Sequence, residues 1–307
     1  MKKPSITDLK PFPLAIKNLE DELRLRGSNP ELPLKKMKDL SNKLWGFHKK
    51  KMCVIGARTS NGKSALTINI AYDLALQGKK VLFLSLEMPV ERIVERMFCL
   101  EYSVDNYALL KNAYNNNESI RQKFEEFKSS NLKSNLVISD CIGKDWKFVE
   151  NLFKSIEQKP DVIILDHIQE IRGTSSQKSA IDEHVSVMRE SAIRNNFALI
   201  VCSQVNRVSQ ADKEDKEPQL HHLKSSGFLE EAADQVILLH WSWHYDNSKN
   251  KNELILNVAK NRDGMTGRIK MFFRPEYCQI SDLPKLPHSE YYEKLKILSA
   301  KEVEWKK

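Results

Sequence analysis

The sequence predicts a doubly wound α/β fold, on three observations. Six short apolar runs, at Met52–Ile55, Val81–Leu84, Leu136–Ile138, Val162–Leu165, Ala198–Val201 and Gln235–Leu239, have the continuous hydrophobic character of strands covered on both faces. Helix-length stretches such as Ser64–Gln77, Val90–Glu101 and Ala180–Asn195 separate them, which gives the β–α alternation of a mostly parallel sheet. A Gly-Lys-Ser tripeptide at Gly62–Ser64 stands directly between the first run and the first helix, so the first crossover is a strand–loop–helix unit.

The elements follow in order. Pro4, Pro11 and Pro13 interrupt the start, and Leu14–Arg26 then places Ile16, Leu19 and Leu23 at helical spacing before Gly27, a natural C-cap. Residues 28–33, with Pro30 and Pro33, cannot continue that helix, so it is expected to be tethered by a linker. Its apolar stripe must dock either on its own domain or on a neighbouring subunit. From Met52 to Leu239 the strands and helices alternate. Beyond Leu239, Glu253–Ala259 and Arg268–Phe273 are strand-like and flank the Gly-containing turn Arg262–Gly267, which predicts a hairpin added to the sheet edge. The expected division is an N-terminal basic segment with its helix at 1–30, the α/β domain at 31–284 and a tail at 285–307.

Composition excludes several classes. With 307 residues, 41% hydrophobic and 29% charged, and only 10 Gly and 11 Pro, the chain is neither collagen-like nor wholly disordered. No apolar run approaches the ~18–20 residues needed to span a bilayer, and the start is no signal peptide, so a soluble, cytoplasmic protein is expected. The net charge of +8 makes a polyanion partner plausible, but it is unevenly placed: residues 1–51 hold thirteen Lys/Arg against six Asp/Glu, and the body is nearly neutral. The five cysteines are scattered with no C-x-x-C pair, as expected of reduced thiols and not of a zinc site.

The strongest local pattern is Ala57-Arg58-Thr59-Ser60-Asn61-Gly62-Lys63-Ser64, followed by Ala65. In a loop of this kind, successive backbone N–H groups and a helix N-terminus cradle nucleotide phosphates, the Lys reaches the β- and γ-phosphates, and the Ser hydroxyl ligates Mg²⁺. Ala57 replaces the usual opening Gly, with Gly56 adjacent. About 100 residues on, the run Val162–Leu165 delivers Asp166 to the strand end where α/β sheets bind ligands, a suitable second ligand for the metal. Glu87, after the second run, is the candidate for activating water. Gln204, after the fifth, is the candidate for contacting the γ-phosphate and relaying its loss.

Together these motifs resemble, in order, the RecA-like motor domain of DnaB-type replicative helicases, over roughly residues 30–283. The matching segments are the phosphate loop, Ser85–Pro89, Asp166–Gln169, Ser203–Arg207, Leu223–Gly227 with Ala233-Asp234, and Lys260–Gly264. Ala at the first loop position is common in that family, and Asp-His-Ile in place of Asp-Tyr-Leu looks like its phage primase-helicase branch. The resemblance implies ATP or another NTP with Mg²⁺ and hydrolysis between subunits of a hexameric ring. It also implies 5′→3′ movement on single-stranded DNA held in a central pore.

Carried over, Lys63, Ser64 and Asp166 would hold the Mg-nucleotide and Glu87 would activate water. Gln204 would sense the γ-phosphate, and Lys260 and Arg262 would reach a neighbour's nucleotide, with Arg262 as the finger. Lys224, Ser225, Ser226 and Gly227, with Arg207, would contact DNA, although Ser225 stands where a Glu is usual. The family's collar or fused primase has no counterpart ahead of Met52, so a motor with its linker helix is expected, working with a separate primase and a helicase loader. The alternative is a RecA-like ATPase of recombinase or regulatory type without helicase activity. The aromatic run His240–Tyr245 fits packing under a loop better than base stacking, and His221-His222 lacks the partners of a metal site.

Overall fold

The computed structural model describes residues 11–25, 30–155, 160–171, 177–205, 217–223 and 227–284. Its centre is one nine-stranded sheet built from β1 (Met52–Ala57), β2 (Val81–Ser85), β3 (Leu136–Asp140), β4 (Val162–Asp166), β5 (Ala198–Gln204), β6 (Gln235–His240), β7 (Glu253–Asn261), β8 (Gly267–Arg274) and β9 (Gln279–Asp282). The strand order is β3-β2-β4-β5-β1-β6-β7-β8-β9. Strands β1 to β6 run parallel, and β7, β8 and β9 continue the sheet antiparallel.

Alternate residues of the parallel strands feed two separate cores, as the two-residue period of a strand requires. Cys53, Ile55 and Ala57 of β1 pack with α3 (Lys63–Leu76) and α4 (Val90–Tyr102). Met52 and Val54 pack with Val149 of α8 (Trp146–Lys154), Val185 and Met188 of α9 (Gln177–Asn195) and Leu229 of α10 (Gly227–Ala232). Helix α3 is buried from Ala65 to Ala75. Each of its Leu66, Ile68, Ile70 and Leu74 side chains contributes about 1.5–3 kcal/mol by leaving water. Gly56 in the middle of β1 leaves room for two leucine side chains, since a Cβ there would stand 2.7 Å from a methyl of Leu238 and 2.8 Å from one of Leu223.

The predicted strands and helices form within one to three residues of their expected bounds. Helices α8 and α10 were not among the helices expected, and three further features went unread. Residues 30–47 supply Leu32, Leu34, Met37, Leu40, Leu44 and Phe47 to the core, partly through α2 (Lys38–Leu44), so most of the expected linker region is packed structure. Between α4 and β3 lie the helices α5 (Asn106–Leu110), α6 (Ala113–Asn116) and α7 (Glu118–Lys128), the first two too short, at five and four residues, to show a helical period. The expected C-terminal hairpin forms as β7 and β8, but β9 adds a third strand from only four residues of mixed polarity.

Near the N-terminus α1 (Phe12–Leu25) forms as predicted, and its Ile16, Leu19 and Leu23 remain exposed among the described residues. All five cysteines are buried and unpaired. No helix of the described residues is long and apolar enough to cross a membrane.

Candidate nucleotide-binding site

Strand order reverses around β1, because β1 is followed through α3 by β2, which lies beyond β5 and β4. Such a reversal opens a crevice at the carboxyl ends of the strands. A cleft of about 430 Å³ lies there, lined by Arg58–Ser60, Gly62–Ala65, Glu87, His167 and Gln204, with Trp241 and Phe273 on its apolar side.

The loop joining β1 to α3 turns through Gly62, whose φ of +84° is the left-handed region where Gly alone is unstrained. Asn61 fixes the loop from beneath. It is buried, its Nδ2 donates to Thr59 O at 3.0 Å and to the Tyr245 hydroxyl at 2.9 Å, and its Oδ1 accepts the Trp241 N–H at 3.0 Å. Arg58 lies over the Tyr245 ring at 5.5 Å. The aromatic run after β6 is thus a clamp on the phosphate loop, with Trp241 donating its Nε1–H to Lys251 O at 2.8 Å.

Lys63 begins α3, and its Nζ lies 3.7 Å from Asp166 Oδ1, with the two side chains 12% and 2% exposed. That Oδ1 has no hydrogen-bond partner among the described residues, an unusual state for a buried carboxylate. A carboxylate oxygen left this way, beside a phosphate loop with Ser64 on its rim, suits an oxygen-preferring divalent cation such as Mg²⁺. Burial and the Asp166 charge push the neighbouring Cys202 thiol well above its ordinary range, so it stays neutral.

Glu87 sits in a tight turn that Ser85 closes, its hydroxyl accepting from Met88 N–H at 3.2 Å and donating to Met88 O at 2.6 Å. The Leu86 N–H donates to Asp166 O at 2.8 Å, which ties the Glu87 turn to the end of β4. Glu87 Oε2 lies 3.1 Å from His167 Nδ1, and Glu170 Oε1 lies 3.5 Å from His167 Nε2. Gln204 donates through Nε2 to Thr59 Oγ1 at 2.7 Å.

Residues 34–282 match the model of the DnaB-like helicase C-terminal domain. The chain belongs to that family. It is 28% identical over 248 residues to the replicative DNA helicase DnaC of Bacillus subtilis, a match covering 78% of this chain and 54% of that protein. It is 26% identical over 281 residues to DnaB of Rickettsia prowazekii, covering 80% and 57%. The chain spans about half the length of the curated relatives it matches. Among solved structures, a DnaB-like replicative helicase described with its interactions with primase superposes with a TM-score of 0.77 at 22% identity, covering 89% of this chain and 68% of that one. An ATPase domain superposes at 0.75 and 23% identity, covering 92% and 100%. The RecA-like sheet is therefore shared.

Within this DnaB-like domain, Lys260 and Arg262 do not come to the protomer's own phosphate loop. Strand β7 is antiparallel to β6, so Asn261 pairs with Gln235 at the amino end of β6, roughly 15–20 Å along the strands from the cleft. There Lys260 Nζ donates to Glu230 O at 2.7 Å, and Arg262 donates to Glu231 O at 2.8 Å and lies 3.5 Å from Asp234 Oδ1. Burial and the Arg262 charge lower the Lys260 pKa.

Arg207 and Lys224–Ser226 lie outside the described residues, while Gly227 is exposed at the start of α10. The Val205–Leu223 bridge brings together the two chain ends that flank residues 206–222. His222 accepts the Gln219 N–H through Nδ1, and the described residues contain no cluster of three or more His, Cys, Asp or Glu suited to a metal. Asn61 was expected among the phosphate-loop residues, and the structure adds that it braces the loop from beneath; Gln169 and Tyr245 were not expected in the site, because the residues they meet there are distant in sequence.

Proposed function

We propose that this chain is the motor of a ring-forming replicative DNA helicase that uses ATP, or another nucleoside triphosphate, to move 5′→3′ along single-stranded DNA and separate a duplex. What supports it best is the convergence of Lys63, Ser64, Glu87 and Gln204 on one cleft beside buried Asp166, in a chain of the DnaB-like family.

In this reading the nucleotide phosphates run along residues 58–65. Backbone N–H groups and the α3 N-terminus face the anion, and Lys63 neutralises the outer phosphates. Ser64 and Asp166 would hold Mg²⁺, which when bound offsets charge building on the phosphate oxygens. Glu87 is 54% exposed, so its carboxylate can take a proton from an attacking water, and His167 at 3.1 Å orients it. Gln204 meets the terminal phosphate and passes its loss through Val205 to residues 206–222.

Arg262 is 45% exposed at the amino end of β6, the opposite end of the strands from the cleft, where it can act only on the nucleotide of a neighbouring copy, together with Lys260. The site is then complete only in an oligomer, which family likeness makes a hexamer, and the exposed stripe of α1 docks on the next subunit. Lys224, Ser225, Ser226, Gly227 and Arg207 hold the DNA backbone in the central pore. A separate primase and a helicase loader are the expected partners, and the cytoplasm is the expected compartment.

Purified protein with a forked DNA and ATP tests this. Strand separation that Lys63→Ala abolishes is the expected result. Hydrolysis without strand separation under any loading condition would favour the recombinase or regulatory class, and images with single-stranded DNA showing a filament instead of a ring would do the same.

A further inference from the structure

The backbone ladder between β4 and β5 ends at the Leu165–Val201 pair. Beyond it the two chains part around Asp166 and Gln204, the two residues that bracket the outer end of the cleft. One side chain spans the gap. Gln169 accepts the Gln204 N–H through Oε1 at 3.0 Å and donates through Nε2 to Ser203 Oγ at 2.8 Å. A single carboxamide thus carries both an acceptor and a donor to the strand two and three residues past the last rung of the ladder.

Ser203 is fully buried, and the backbone of Gln169 belongs to the short turn Ile168–Glu170, separated from Asp166 by His167 alone. On the other flank the Val205 N–H donates to Ala57 O at 2.9 Å, and Val205 bridges to Leu223. Gln204 is therefore held from β1 by its strand pairing and from the β4 side by Gln169, while its own carboxamide donates to Thr59 at the rim of the cleft.

We infer that Gln169 is a positioning residue, which keeps the Gln204 carboxamide in register with Asp166 and transmits movement between them. The inference rests on reading the cleft as a nucleotide-hydrolysis site. Removing the carboxamide leaves a part-buried N–H without its acceptor and lets Gln204 shift, and displacements of about 1 Å in such a site cost on the order of 100-fold in rate.

The test uses the full chain carrying Gln169→Leu, which fills similar space without a donor or acceptor. The expected kcat for ATP hydrolysis falls roughly 10- to 100-fold with KM changed less than about two-fold. Gln204→Ala is expected to lose a similar amount, and the double variant no more than the worse single, because the two act as one unit. Independently of hydrolysis, the Gln204 amide should exchange its hydrogen at least about ten-fold faster in Gln169→Leu. Multiplying losses in the double variant, or unchanged exchange at Gln204, would overturn the inference. If the wild-type chain fails to hydrolyse ATP, the hydrolysis reading falls and the exchange measurement alone decides on Gln169. If Gln169→Leu does not fold, Ser203→Ala, which removes one of the two bonds, must show the same pattern at smaller size, and wild-type behaviour there would count against it.

Discussion

His184 offers a stability test that can be worked from the structure. It lies on α9 with its ring stacked on Trp146 of α8 at 3.8 Å and an interplanar angle of 13°. The residue is 6% exposed, and neither ring nitrogen has a hydrogen-bond partner among the described residues. Burial disfavours the imidazolium and lowers the pKa from 6.5 to about 4, with Glu150 opposing the shift. Because the folded-state value lies below the unfolded one, the stability tied to neutral His184 is complete above pH 6.5 and is lost as pH falls towards 4. The total loss is about 3 kcal/mol, and at pH 5 it is about 2 kcal/mol, a large share of an ordinary domain's 5–15 kcal/mol. His184→Phe keeps the stack on Trp146 and removes the titration. Urea unfolding of both proteins at pH 7.5 and at pH 5 should show the variant's advantage growing by about 2 kcal/mol on acidification. An advantage that does not change with pH would show that burial does not hold His184 neutral.

Two further perturbations address the site. Asn61→Ala leaves the Trp241 N–H and the Tyr245 hydroxyl without their partner, so it should cost about 2–3 kcal/mol and weaken nucleotide binding, read by thermal unfolding with and without ATP; an unchanged Tm would mean that the aromatic clamp is not what holds the loop. Lys63→Ala and Arg262→Ala should each be inactive alone yet regain part of the hydrolysis when mixed, since a mixed assembly pairs an intact Lys63 with a neighbour's intact Arg262. No recovery in mixtures shown to co-assemble would place Arg262 outside the neighbour's chemistry.

Much of the cleft is legible in the sequence because its signals are local. Glu87, Asp166 and Gln204 stand at or just past the carboxyl ends of apolar runs, Lys63 and Ser64 open the helix across the loop from another, and in a parallel sheet those ends face one crevice. The supporting contacts were not legible, because their partners are separated by many residues. Asn61 meets Tyr245 across 184 positions, and Gln169 meets Ser203 across 34. The packing of residues 30–47 was hidden for a related reason: two prolines read as a linker, although Leu32, Leu34 and Met37 between and after them have a core to enter.

The chain by itself determined the α/β alternation, the phosphate loop and the order of the motifs, since these depend on periodicity and on residues adjacent along the backbone. Only the tertiary structure decided that Lys260 and Arg262 face away from their own cleft, because that follows from the antiparallel direction of β7 and not from any residue type. It also decided which polar side chains brace the site. A buried amide finds its partner through the arrangement of strands around β1, and that arrangement exists only once the two cores have closed on the sheet.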